Sequence, residues 1–176
     1  MAKTALQSLD PHPDVVLSLI NKVVSAPWPE DSDQFDAYFA TIGCVPGPSA
    51  EHQDDLPVSS RGSLLMPGVS MEDGSWAALA GKLSSLGFFF YPGTRDSHVL
   101  AGPAFDIVRD RLADLYGRAT DATDHSEGNR SALWEVNDTS IELYAHVTLA
   151  PMLQLGLSHR ELNLLHEKLI TEKRGY

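Results

Sequence analysis

The stretch 131–147 constrains the fold most, because apolar and polar side chains alternate on both sides of a short turn. Asn137 and Asp138 separate the two alternating segments, and both residue types tolerate the left-handed backbone that a hairpin turn requires. Such alternation around a turn predicts a β-hairpin in an antiparallel sheet. One face of the hairpin carries Ala132, Trp134, Val136, Ile141, Leu143, Ala145 and Val147, and the other carries Leu133, Glu135, Glu142, Tyr144 and His146.

Four segments carry apolar residues at helical spacing and are predicted to be helices. Pro27 ends the first, because proline cannot continue the backbone hydrogen bonds, and Gly43 lies where a C-terminal glycine belongs. Ser158 and Glu161 have the spacing of a capping box at the start of the last helix. The predicted helices cover 13–26, 31–43, 102–116 and 158–170, and the last is expected to bury Leu162, Leu165 and Leu169.

Two stretches lack regular patterns and are expected to be surface loops. Residues 44–60 hold a Pro-Gly-Pro sequence followed by acidic side chains, and residues 120–130 are mostly polar. Short apolar runs bounded by turn residues predict the remaining strands. These strands lie at 63–66, 75–83, 86–91, 97–101 and 152–157.

Together these elements predict an α+β fold with an antiparallel sheet of about five to six strands and helices mainly on one face. The whole chain, 1–176, is expected to form a single domain. Its parts are a helical N-terminal region at 1–43, the surface loop at 44–60, and a sheet with two helices at 61–176.

The sequence Phe-Phe-Phe-Tyr at 88–91 places aromatic side chains on both faces of a predicted strand. A sheet covered on one side only would leave Phe89 and Tyr91 in water. Either a helix or loop covers these two rings, or they form a binding patch. Burial within a central strand is the favoured interpretation.

The chain is acidic, with a formal net charge of -11 and a pI near 4.9. Nucleic acids and anionic membranes bind basic surfaces, so neither is an expected partner. A basic protein partner and simple solubility are both compatible with this charge. Cys44 is the only cysteine, and no stretch is apolar enough for a membrane span or a signal sequence. We therefore expect a cytoplasmic protein without disulfides.

No catalytic, cofactor or metal site is expected from the sequence. The seven histidines do not include the i, i+4 pair around a glutamate that zinc hydrolases use. Neither a glycine-rich phosphate loop nor a nucleophilic serine between glycines occurs. Carboxylates that meet only in space leave an enzyme open as an alternative. The cluster Asp121, Asp124, His125 and Glu127 lacks the spacing of a calcium-binding loop.

The order of elements, the size and the acidic charge resemble two groups of proteins. One group is the immunity proteins that neutralise bacterial polymorphic toxins, and the segment 134–144, a tryptophan, a short turn and Ile-Glu-Leu-Tyr, is similar to their hairpins. The other group is the type III secretion chaperones, which are dimers with a similar element order. The resemblance covers residues 60–172. The extra N-terminal helix and the proline-rich stretch depart from the chaperone pattern and favour the immunity interpretation.

The resemblance to immunity proteins implies a non-catalytic protein that binds a cognate toxin and occludes its active site. Aromatic anchors ringed by carboxylates would hold such an interface and steer a basic toxin domain toward it. The alternatives are a secretion-chaperone-like dimer, or a small-ligand binder or enzyme, and the oligomeric state stays open. The candidate partner-binding residues are Tyr144, His146, Glu142 and Glu135 on the outer hairpin face, completed by Leu133, and Asp121, Asp124 and Glu127 in the adjoining loop.

Overall fold

A computed structural model describes residues 9–50, 59–93, 100–148 and 150–174. These elements confirm the predicted α+β class. The helices are α1 (Pro13–Ser25), α2 (Phe35–Ile42), α3 (Ala101–Tyr116) and α4 (Arg160–Arg174), with a 3-10 turn at Ser32–Gln34. The strands are β1 (Val45–Ala50), β2 (Ser59–Leu65), β3 (Asp73–Leu79), β4 (Lys82–Phe90), β5 (Asp121–Asp124), β6 (Arg130–Val136), β7 (Thr139–His146) and β8 (Met152–His159).

The described strands form one antiparallel sheet of eight strands in the order β1-β2-β3-β4-β8-β7-β6-β5. The first meander, β1 to β4, follows α1 and α2, and the second, β5 to β8, follows α3. The two meanders meet at the centre of the sheet, where β4 pairs with β8. The expected count of five to six strands is therefore too low, although the class and the antiparallel pairing are right.

Helices α1, α2 and α3 cover one face of the sheet, which we call the covered face, and the buried core lies between them and the strands. Strand β7 shows the division between this face and the opposite one, the open face. Ile141, Leu143 and Ala145 are 0% exposed under the helices. Glu142 and Tyr144 alternate with them and point to the open face, where Glu142 is exposed and Tyr144 half-buried.

The hairpin predicted at 131–147 is confirmed as β6 and β7, which pair from Val136 and Thr139 outward. Asn137 has a φ of 52°, the left-handed conformation expected in this turn. Trp134, which is 2% exposed, projects from β6 into the core. Its indole nitrogen donates a hydrogen bond of 3.0 Å to the carbonyl of Gly117, the residue that ends α3. This bond joins the hairpin to the helix above it.

Both stretches predicted to be loops contain strands. Residues 45–50 form β1, the edge strand beside β2, and its ladder is irregular between Pro46 and Ser49. An edge strand tolerates proline because one side of it needs no hydrogen-bond donors. Residues 121–124 form β5 at the other edge, and all four are exposed, so no apolar alternation marks them. Residues 51–58 of the predicted loop lie outside the described part of the chain.

The start of α4 also differs from the prediction. Ser158 lies in β8, where it pairs with both neighbouring strands, and does not cap the helix. The Nδ1 atom of His159 instead accepts a hydrogen bond of 3.4 Å from the amide of Leu162. Leu165 is 44% exposed, and Leu169 is only half-buried. The predicted buried stripe is wrong because α4 contacts the sheet chiefly beside β4 and β8, away from the core.

The aromatic run at 88–91 is mostly buried, as favoured. Phe88 and Phe90 are 0% exposed and Tyr91 is 2% exposed. Tyr91 has a φ of 54° and donates a hydrogen bond from its hydroxyl to the carbonyl of Pro11. Phe89 is half-buried on the open face.

The strand predicted at 97–101 is not confirmed. Residues 97–99 lie outside the described residues, and Ala101 begins α3 rather than ending a strand. Within the described ranges, no helix combines the length and apolar character needed to cross a membrane.

Candidate functional site

The open face of β5 to β8 carries most of the candidate residues, because strand pairing arranges them in rows across the sheet. Antiparallel partners lie side by side and point to the same face. Leu133 of β6 pairs with Asp121 of β5 on one side and with Glu142 of β7 on the other. The next row consists of Thr123, Ser131, Tyr144, Gln154 and Phe89.

Three rings meet on this face, and we call Tyr144, His125 and His146 the ring cluster. The ring centroids of Tyr144 and His146 lie 4.4 Å apart, and those of Tyr144 and His125 lie 5.6 Å apart. His146 Nε2 donates a hydrogen bond of 2.8 Å to Gln154 Oε1. His125 Nε2 lies 3.4 Å from the hydroxyl of Ser131. These contacts hold both imidazoles beside a tyrosine that is itself only half-buried.

A depression of about 290 Å³ opens beside the ring cluster, and we call it the acidic depression. Leu133 gives it an apolar floor, and Asp121 and Glu142 stand on opposite walls. Tyr144 and His125 contribute aromatic surface to it. Acidic, aromatic and apolar groups therefore converge on one concave part of the open face.

The two carboxylates of the acidic depression are not neutralised locally. Within the described residues, Asp121 and Glu142 have no ion-pair or hydrogen-bond partner through their side chains. Other acids are paired: Glu135 lies 3.0 Å from Arg160, and Asp106 of α3 lies 2.7 Å from a guanidinium nitrogen of Arg130. The negative field over the depression is therefore available to a ligand.

Small residues follow one another across β4 and β8 at the centre of the open face, and Asn163 and His166 of α4 share a pocket with Ser85 at one end of this row. We call Gly87, Gly156, Ser85 and Ser158, which are paired two by two, the small-residue band. A Cβ atom added at Gly156 would lie 3.5 Å from Glu142, an ordinary contact, and Gly156 has no left-handed backbone. The fold therefore does not require glycine at this position.

The structure places the predicted site residues in three different settings. Tyr144, His146, Glu142 and Asp121 lie together around the acidic depression, although His146 does not line it. Glu135 shares the open face but is paired with Arg160. Their role in binding stays a prediction. The remaining two, Asp124 and Glu127, are exposed at the end of β5 and in the turn after it.

Sequence reasoning did not assign His125 and Gln154 to this site. His125 was noted only as part of an acidic loop, since nothing in its neighbourhood predicts the backbone pairing of β5 with β6. Gln154 alternates with the buried Leu153 and Leu155, so its outward direction could be inferred from the sequence. Its position beside Tyr144 depends on the register between β7 and β8, which the alternation does not determine.

Among the described side chains, no group of three or more His, Cys, Asp or Glu residues could hold a metal ion. Comparison of the chain with protein-family models, with curated proteins and with solved structures found no match. The geometry and charge of the open face are therefore the basis on which a function can be proposed.

Proposed function

We propose that this protein binds a basic protein partner through the open face of β5 to β8 and acts as an immunity protein that occludes a toxin's active site. The observation that carries the proposal is the ring cluster, which stays partly exposed beside two carboxylates that have no partner among the described residues. The immunity role itself follows from the resemblance in element order, size and charge described above.

The ring cluster has the properties of an interface anchor. Tyrosine buries a large apolar ring with little loss of conformational entropy and keeps a hydroxyl for hydrogen bonding. Binding energy in protein interfaces concentrates on such residues, surrounded by contacts that exclude water. His125 and His146 already restrict the ring of Tyr144 in the free protein. We therefore expect Tyr144 to lose little freedom when a partner covers it.

The charge of the protein indicates the sign of the partner. A net charge of -11, with carboxylates beside the anchor that are unpaired within the described part of the chain, attracts a basic surface and accelerates its association. Toxins that act on nucleic acids need a basic surface around the active site, and an acidic inhibitor can cover that surface. We expect the association rate to fall steeply as salt is added.

The shape of the open face supports occlusion over a wide area. A stable interface buries roughly 800 Å² on each partner, which is more than the acidic depression offers alone. The small-residue band adjoins the depression through Gly156, which pairs with Glu142. Its short side chains allow a partner to approach the backbone closely. The depression and the glycine end of the band, Gly156 and Gly87, would together form one continuous contact surface, which α4 borders at Ser85.

The test is to capture the partner with the tagged protein from its native lysate and to compare Tyr144→Ala with Leu115→Ala. Leu115 is 54% exposed on α3 and serves as a control for the loss of an exposed apolar side chain. The wild type and Leu115→Ala should retain a partner that is toxic when expressed alone and harmless when co-expressed. Tyr144→Ala should weaken binding by about 2 kcal/mol or more and lose this protection.

The purified pair should also form a one-to-one complex in which the enzymatic activity of the partner is blocked. The proposal is wrong if Tyr144→Ala binds and protects as well as the wild type does. It is equally wrong if the captured partner keeps its activity in the complex, because occlusion of the active site would then not occur.

A further inference from the structure

We propose that the acidic depression receives a guanidinium group, supplied by an arginine side chain of the protein partner. This inference rests on the function proposed above and adds the chemistry that the partner must present. It depends on three features of the depression, which are its charge, its planar aromatic walls and its apolar floor.

The negative charge of the depression favours a cation that lies between its two carboxylates. Asp121 on β5 and Glu142 on β7 flank β6, and adjacent strands lie about 4.8 Å apart, so the two backbones are roughly 10 Å apart. A cation seated over Leu133 can therefore be approached by a carboxylate from either side. Neither carboxylate has a basic partner among the described residues. An incoming ligand would supply the missing positive charge.

The aromatic walls favour guanidinium over ammonium. Guanidinium is planar, less strongly hydrated and stacks on aromatic rings, whereas ammonium is a compact and strongly hydrated charge. Tyr144 and His125 both line the depression, and their ring centroids lie 5.6 Å apart, so aromatic groups border the space that the cation would occupy. The several N–H groups of guanidinium can also donate to two separate carboxylates at once, in a fixed planar arrangement.

The apolar floor suits the stem of an arginine side chain. Leu133 is half-buried and lies between the two acids in the same row of the sheet. Long basic side chains lay their methylene groups along apolar surface while the charged end reaches polar groups. An anion would be repelled by the two carboxylates, and a neutral amide would gain nothing from their charge.

The experiment is an NMR titration of the isotope-labelled full chain with N-acetyl-arginine methylamide. The matched probes are the same capped forms of lysine and of citrulline, which has nearly the shape of arginine but no charge. Arginine should give saturable shifts at Leu133, Glu142 and Tyr144 at millimolar concentration. Lysine should bind at least about threefold more weakly, and citrulline should give no saturable shift.

Variants at the two walls provide the second arm. The double variant Asp121→Asn/Glu142→Gln should weaken the binding of capped arginine by about tenfold. The control Asp36→Asn/Asp114→Asn removes the same charge from exposed positions on α2 and α3 and should bind like the wild type. The proposal is overturned if citrulline binds as well as arginine does, or if the control pair weakens binding equally.

Binding of the variants to the captured partner distinguishes a failure of the guanidinium site from a failure of the proposed function. If the double variant binds the partner like the wild type while Tyr144→Ala does not, the guanidinium site is wrong and the proposed function holds. If neither variant weakens partner binding, both proposals are wrong. Loss of binding in both variants, with retention in the control pair, is the result expected.

Discussion

The two faces of the sheet are built from the same strands but differ in burial and in charge. On the covered face, β7 contributes Ile141, Leu143 and Ala145, which are completely buried. On the open face, the same strand contributes the exposed Glu142 and the half-buried Tyr144. Because strand residues alternate between faces, each face can change with little effect on the other. Stability is therefore expected to depend on the covered face and binding on the open one.

The covered side also contains ionisable groups whose pKa is changed by burial. Burial raises the pKa of the Cys44 thiol to about 11, and a nearby Lys22 opposes this only in part. Burial likewise raises the pKa of Tyr38, which packs beside Trp28 on the helical side, and that of Tyr91. These groups keep their protons in the folded state because a buried charge would lose its hydration.

The largest expected effect compares two neighbours in β4. Phe88→Ala should lower the free energy of unfolding by about 3–5 kcal/mol, because Phe88 is 0% exposed in the core and the loss of its ring would leave a cavity. Phe89→Ala should cost about 1 kcal/mol, since its ring is only half-buried on the open face. Urea unfolding of both variants measures the difference. Equal losses would show that the open face also contributes to the core.

The second-largest effect is expected from alkaline pH, which should lower the free energy of unfolding through a buried group on the covered side. Since the folded pKa of Cys44 lies above its ordinary value of 9.0, the unfolded state releases this proton first, and stability falls as pH rises from about 9 to about 11. The thiol alone should contribute up to about 1.4 kcal/mol per pH unit within this window. Below pH 9 it should contribute nothing to the pH dependence.

Urea unfolding of the wild type and of Cys44→Ala at pH 8, 9 and 10 isolates this contribution. The variant should be destabilised at every pH by the loss of a buried side chain, but its stability should fall less steeply above pH 9. Parallel curves would mean that Cys44 is not buried as a neutral thiol in the folded state.

The same contrast explains what could be predicted from the sequence. The hairpin was predictable because one of its faces is buried, so apolar residues such as Trp134 and Leu143 recur at every second position. Strand β5 has no buried face and therefore no such pattern, and β1 contains Pro46 and Pro48, which normally indicate a loop. Both lie at sheet edges, where each pairs with another strand on one side only.

The arrangement of the candidate site residues could likewise be predicted only in part. Alternation within β7 was sufficient to place Tyr144, His146 and Glu142 on one face. The position of Asp121 opposite Glu142 required the pairing of β5 with β6, and that of Gln154 required β8 to insert between β4 and β7. Such long-range pairings depend on the whole sheet and leave no local signal in the sequence.

A smaller effect is expected from Gly156→Ala in the small-residue band. The added Cβ fits at an ordinary contact distance, and alanine restricts the unfolded chain, so stability should rise by up to about 1 kcal/mol. The affinity for the captured partner should nevertheless fall, because the methyl group raises the floor of the contact surface. Thermal unfolding and a binding titration on the same sample measure both effects. Unchanged affinity would exclude the band from the interface.

The smallest effect is expected from Glu135→Gln, because the charge of this predicted site residue is already paired in the folded protein. Glu135 lies 3.0 Å from Arg160, and both side chains are 43% exposed. An exposed pair of this kind contributes about 0.2–1 kcal/mol, and salt weakens it further. Glu135→Gln should therefore lower the free energy of unfolding by less than about 1 kcal/mol at low salt, with the difference vanishing at high salt.

The effect of Glu135→Gln on partner affinity is a more discriminating test than its effect on stability. Because Arg160 neutralises Glu135, its replacement should change partner affinity far less than Glu142→Gln does, although both are single-charge changes on the open face. Binding titrations of the two variants against the same partner make the comparison. If Glu135→Gln weakens binding as much as Glu142→Gln, total charge would govern affinity, and the unpaired carboxylates would have no special role. A clear difference would instead locate the electrostatic attraction at the acidic depression.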